Sequence, residues 1–239
     1  TPKPSSAASD VYKRQQLAPF AQAAVGSDAA KANSTPQYNS RFVSSDLDDF
    51  VHSSSVTALP GGDLMAVWFA GSREGAADVQ VRSARFDAQS GEWGAEQVLA
   101  TRESTRDGTG RYIRKLGNPV IALGPDQRLW MFYVSVSVGG WATSAINLMV
   151  SDDLGRSWSA PRQLITSPFF NISTLVRAAP VFHADGAIGL PVYHEFMGKF
   201  AEYLYLSADG AVIDKFRISR GKHSLQPTIV PLDLSLIHI

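Results

Sequence analysis

A few short stretches hold most of the side chains able to do chemistry. Arg73-Glu74 and Asp78 set one guanidinium and two carboxylates close together, and Tyr193-His194-Glu195 sets a phenol, an imidazole and a carboxylate in a row. A carboxyl can exchange a proton with a reacting oxygen, and a phenol beside an acid invites a nucleophile's role. In an extended strand Tyr193 and Glu195 share one face and His194 takes the other, so Tyr193 can be core while Glu195 or His194 lines a site. Histidine is a residue type that can act as a base near neutral pH, which makes His52 a candidate for that role. Arg73, Arg114 and Arg177 offer guanidinium forks, which pair bidentately with a carboxylate. Lys115, Asn118, His223 and Gln226 complete the polar set. The histidines lack close ligand spacing and the chain has no Cys, so neither a metal site nor a cofactor is expected.

The bulk composition narrows what those groups can serve. The chain has 239 residues, 22 basic and 22 acidic, with 44% hydrophobic residues and 13 Pro. That apolar content excludes a disordered or collagen-like chain. Zero net charge argues against a nucleic-acid partner, and no apolar run is long enough to span a bilayer.

The elements that must position these groups are short strands. Residues 51–59, a Pro-Gly-Gly-Asp turn and 64–70 read as strand, turn, strand. The pattern returns at 119–123 and 128–137 around Gly-Pro-Asp-Gln, and at 180–183 and 188–196 around Ala-Asp-Gly. Residues 227–232 begin it again. Pro-Gly, Pro-Asp and Asp-Gly pairs supply the fixed or positive φ that tight hairpins need. Third strands follow at 78–86, 146–150 and 203–206, and a fourth at 162–165. The units restart at intervals of roughly 50–70 residues, the order of length of propeller blades. Apolar residues alternate or run together with no 3.6 spacing, so helix content should be very low. A β-sandwich explains short hairpins but not a grammar that restarts three times.

The ends have another texture. Residues 10–15 and 234–239 can be encoded by strings that are reverse complements, and they resemble the transposase mosaic end used in sequencing-library preparation. Residues 1–15 and 234–239 are therefore expected to be adapter-derived tails, and 16–40, rich in Ala, Ser, Gln and Pro, a linker or loose wrap. The genuine chain is then an interior piece whose fold spans 41–233, and such a piece is expected to be inactive by itself.

Residues 151–158 (SDDLGRSW) match the pattern S-x-D-x-G-x-[ST]-W known as the Asp-box. Asp153 can accept backbone N–H bonds, Gly155 allows a positive φ, and Trp158 can pack beneath the hairpin. Together with Val51-His52-Ser53-Ser54, the stretch 68–79, Leu116-Gly117-Asn118-Pro119 and Pro191-Val192-Tyr193-His194-Glu195, the chain resembles bacterial BNR/Asp-box proteins of the sialidase (neuraminidase) superfamily. The resemblance implies an all-β, six-bladed propeller, of which about three blades and one strand are present. It implies a structural role for Ser151, Asp153, Gly155 and Trp158, away from substrate. It further implies an exo-glycosidase acting on terminal sialic acid or a related acidic sugar, with a cell-envelope, periplasmic or secreted location.

Residue by residue, the implied site has Glu74 as acid/base with Asp78 as rival. Arg73, Arg114, Asn118, Arg177, Tyr193, His194, Glu195 and Gln226 would bind substrate. His52 stands where the superfamily carries a site arginine. That departure keeps two alternatives open: a lyase or glycosidase of acidic polysaccharides using His52 as base, and a noncatalytic glycan-binding propeller. Trp68, Phe69, Trp130, Phe132 and Tyr133 are expected in the core.

Overall fold

A computed structural model describes residues 17–21, 38, 40–44, 49–231 and 237–238. The first sheet holds β1 (Phe50–Ala58), β2 (Leu64–Gly71) and β3 (Gln80–Asp87), with β4 (Glu92–Trp93) and β5 (Gln97–Ala100) both paired to β3 as one interrupted outer strand. The second holds β6 (Lys115–Leu123), β7 (Leu129–Val136), β8 (Ser144–Ser151) and β9 (Arg162–Gln163). The third holds β10 (Leu175–Val176) and β11 (Val181–Phe182), both paired to β12 (Ile188–His194), then β13 (Phe200–Leu206) and β14 (Val212–Arg217). All pairs are antiparallel, and β15 (Val230–Pro231) pairs with β16 (Ile237–His238).

The chain is therefore an all-β propeller of successive four-stranded blades, each starting at its innermost strand. Neighbouring inner strands are tied by side chains. The Ile121 and Leu123 N–H groups on β6 donate to Ser55 Oγ and Thr57 Oγ1 on β1, each at 3.2 Å.

Packing explains why the second strands read as unbroken apolar runs. Along β7, Leu129, Met131 and Tyr133 enter the cluster shared with Met65, Val67 and Phe69 of the first sheet. The intervening Trp130, Phe132 and Val134 enter the cluster shared with Leu175, Leu190 and Val192 of the third. The period-2 alternation is present, but both faces are covered, so both are apolar. Each such side chain contributes roughly 1.5–3 kcal/mol by burial. The five aromatics expected in the core are all buried.

Several details go beyond the sequence pattern. Helix α1 (Arg102–Thr109) joins the first two sheets. Thr101 and Ser104 cap it reciprocally, Gly110 closes it in the left-handed region, and Thr105 Oγ1 bonds the Tyr133 hydroxyl at 2.9 Å. The third inner strand starts at Leu175, earlier than the sequence pattern places it, and breaks across 177–180. Within the stretch read as linker, Ala21 N donates to Phe182 O (2.8 Å) and Phe20 stacks on His183. The remainder of that stretch up to 37, the expected tail 1–15, and residues 234–236 and 239 lie outside the described residues.

Candidate active-site mouth

Each blade sends two elements to the same end of the molecule: the start of its inner strand and the loop joining its second and third strands. The inner strands are kinked there. The β1–β2 register shifts between His52 and Ser55, and the β6–β7 register between Gly117 and Val120. Ser53, Asn118 and Gln226 sit at positive φ (59°, 47° and 51°). Such bulges re-aim side chains out of the ladder, and left-handed non-glycine residues are uncommon enough to mark a purpose.

The re-aimed groups meet. Ser53 Oγ donates to Asn118 Oδ1 (3.3 Å), and Asn118 Nδ2 donates to the Tyr193 hydroxyl (3.4 Å). Gln226 also hydrogen-bonds that phenol. Arg177 Nη1 donates to Ser54 O (3.4 Å) and lies close enough to Tyr193 to act on it electrostatically. Tyr193 is 4% exposed. Burial, reinforced by the nearby Glu195 charge, pushes its pKa up to about 12 against the opposing hydrogen bonds and Arg177. The phenol is therefore a proton donor at neutral pH.

The other expected residues surround this group. His194 is on the opposite strand face, stacked on Phe200 at 4.6 Å, and burial holds its pKa below the ordinary value. Glu195 follows the end of β12 and lies 3.8 Å from Lys199 Nζ. His52 is exposed and edges onto Phe69 at 5.5 Å. Arg114 is exposed and reaches Gly139 O (3.4 Å). His223 bridges to Lys199 in the backbone.

The 72–79 loop leans on the mouth through Gly75, whose Cα hydrogens face the Lys115 side chain; a Cβ there would lie 3.3 Å from it. Lys115 Nζ in turn sits over the Trp141 ring of the β7–β8 loop at 5.4 Å. Glu74 and Arg73 are exposed on this loop. Asp78 instead accepts the Ser72 N–H and hydroxyl, each at 3.0 Å, which closes the loop and lowers its pKa, with Arg73 adding to the shift. Those bonds commit Asp78 to the shape of the loop, whereas Glu74 has no hydrogen bond or ion pair among the described residues. The group absent from the sequence-derived set is Ser53; its signal was the Ser-Ser pair occupying the place of Asn118-Pro119 in the next blade. Among the described residues no three His, Cys, Asp or Glu side chains converge as a metal site would require.

At the opposite end, residues 151–158 form a closed turn. Asp153 accepts from Ser157 N (2.8 Å), Ser157 Oγ (2.6 Å) and Ser151 Oγ (2.8 Å). Those bonds, the Ser157 hydroxyl first, lower its pKa to about 2. Gly155 has φ +89°, and Trp158 packs against the first core cluster.

Residues 62–237 match a family profile described as BNR repeat-like domain. No curated protein sequence matches the chain. Solved structures with the same fold include a protein of unknown function from Dyadobacter fermentans DSM 18053 (11% identity, TM-score 0.56, 71% of this chain and 54% of that one). Others are the Hadza microbial sialidase Hz136 (16%, 0.54, 69% and 37%) and the intramolecular trans-sialidase from Ruminococcus gnavus (11%, 0.51, 75% and 62%). The chain thus spans between 37% and 62% of the length of these three structures.

Proposed function

From the premise that the chain belongs to the BNR repeat-like domain family, we propose that the protein carrying these blades is a glycan-acting, sialidase-like exo-glycosidase. Its substrate on this reading is a glycan ending in sialic acid or a related acidic sugar. The supporting observation is the convergence of Arg177, Asn118, Tyr193 and Gln226 from successive blades at one mouth. Arg177 makes a single long bond to a neutral carbonyl, which leaves most of its fork for a substrate carboxylate. Glu74, on the exposed loop beside Lys115, is the proton-transfer group, and Asp78 holds that loop in shape.

The test is release of free sialic acid from sialyllactose by the full-length parent protein that carries these blades. Release should fall at least tenfold in kcat/KM on Arg177→Ala, about the value of one charged hydrogen bond. No hydrolysis across a panel of acidic glycans rejects the reading.

A second reading draws support from the protonated state of Tyr193. In a polysaccharide lyase His52 would remove the proton beside a uronate carboxylate while Tyr193 protonated the departing glycosidic oxygen. The product would carry a carbon–carbon double bond conjugated to the carboxylate. Its ultraviolet absorbance, lost in both His52→Ala and Tyr193→Phe, separates this reaction from hydrolysis.

A further inference from the structure

A second recess opens beside the central mouth, at the same end of the second blade. Its volume is about 370 Å3, inside the range of about 300–1,000 Å3 usual for small-ligand sites. Ser135, Thr143 and Gln163 line it, Arg111 stands to one side, and Phe169 and Phe170 edge it. The two phenyl rings are 88% and 75% exposed.

The loop that carries them is pinned. Asn171 Oδ1 accepts from Thr166 N (2.8 Å), Asn171 Nδ2 donates to Leu164 O (2.7 Å), and the Thr166 and Thr174 hydroxyls bond at 2.9 Å. These bonds anchor the loop on both sides of the two rings, which project from it into solvent. The lining has an orphan of its own. Ser135 is 2% exposed, yet its Oγ has no hydrogen-bond partner among the described residues. Asn147 Oδ1, diagonal to it across the β7–β8 register, lacks one as well. Buried polar atoms are normally bonded, so the unpartnered Ser135 hydroxyl in the lining points to a ligand that bonds there.

The chemistry of the lining selects the ligand. Exposed aromatic faces suit the apolar C–H face of a sugar ring, and hydroxyl and amide groups suit its oxygens. The recess holds a guanidinium and no carboxylate, and Arg111 has no ion pair among the described residues. We propose that this recess is an accessory subsite for a carboxylate-bearing sugar unit, stacked on Phe169 or Phe170, bonded to Ser135 and Gln163, with its carboxylate on Arg111. The β7–β8 loop separates it from the central mouth: Trp141 covers Gly117 on one side, while Val138 and Thr143 line the recess on the other. One glycan chain can therefore lie across both. The subsite does not require the central mouth to be catalytic.

The test is titration of the full chain with D-glucuronate and, as uncharged control, D-glucose, followed by backbone amide NMR shifts. Glucuronate should bind more tightly, with shifts at Phe169, Phe170 and Ser135. Phe169→Ala/Phe170→Ala should weaken glucuronate roughly tenfold, a stacking-scale loss. Arg111→Gln should erase the preference over glucose in the shifts read at Phe169, Phe170 and Ser135. Phe169, Phe170, Arg111 and Arg177 are all solvent-facing or half-buried, so the variants keep the fold. No saturable binding of either sugar overturns the proposal. Binding that survives the double alanine variant but disappears with Arg177→Ala also overturns it and assigns the sugar to the central mouth alone.

Discussion

The two ends of each blade are built from the same residue types and use them oppositely. At the hairpin end the carboxylates are spent on structure. Asp63 accepts from Ala88 N and Arg85, Asp87 from Gln89 N and Ser90 N, Asp153 from Ser157, and Asp185 from Ala187 N. At the mouth end the inner strands leave their ladders, and Glu74 has no partner among the described residues. Arg177 holds one carbonyl at 3.4 Å. A charge satisfied by its own turn stabilises the fold; one left exposed at a converging mouth is available for a ligand. The contrast rests on Glu74, since Asp78 on the same loop is satisfied by Ser72 much as the hairpin-end aspartates are by their turns.

The sharpest way to break this contrast is to remove the free carboxylate. In the full-length parent, on the hydrolase reading proposed above, Glu74→Gln should lower kcat by roughly a thousandfold, as loss of general-acid assistance does, with an unchanged melting midpoint. If activity persists, the free carboxylate at the mouth is decoration. The mirror experiment lies toward the hairpin end of the third blade. An alanine Cβ at Gly189 would lie 1.6 Å from the Tyr203 hydroxyl, itself bonded to His183 Nε2 at 2.6 Å. Gly189→Ala should destabilise by about 3 kcal/mol in urea unfolding while the folded fraction keeps its kcat; a neutral result would show that this end yields more than its packing implies. The smallest effect belongs to Asp153→Asn. Because the folded pKa of Asp153 is depressed to about 2, its carboxylate stabilises above the ordinary carboxylate range and that contribution disappears as pH falls through about 2. The gap in urea midpoint between wild type and variant should be present at pH 7 and close by pH 2. A gap independent of pH would mean that shape, not charge, holds this turn.

Much of the hairpin end was legible in the sequence because turns are local. Pro60-Gly61-Gly62 and Asp153-x-Gly155 carry their own conformational demands, and Gly61, Gly62 and Gly155 do take positive φ. The blades were legible because β7 and its counterparts run apolar on both faces. The mouth was legible only in part. Tyr193, Asn118, Arg177 and Gln226 could be shortlisted from strand ends, but their meeting depends on kinks in separate inner strands, and Ser53 at φ 59° has no sequence mark beyond its neighbour. Helix α1 carried its signals, Thr101 before it and Gly110 after it, but eight residues without an apolar stripe gave the periodicity nothing to register. Ser135 beside Phe169 and Phe170 could not be foreseen, since a loop after the blade's last strand folds back over its second.

The alternate residues of β7 also set how the blades depend on one another. Leu129, Met131 and Tyr133 face one neighbour and Trp130, Phe132 and Val134 the other, so a single strand is the party wall of two interfaces. Energetically the blades resemble links in a chain coupled only to their nearest neighbours. Loosening one interface leaves the other's residues untouched, but losing the strand itself releases both, so among the described residues the second blade couples the first to the third.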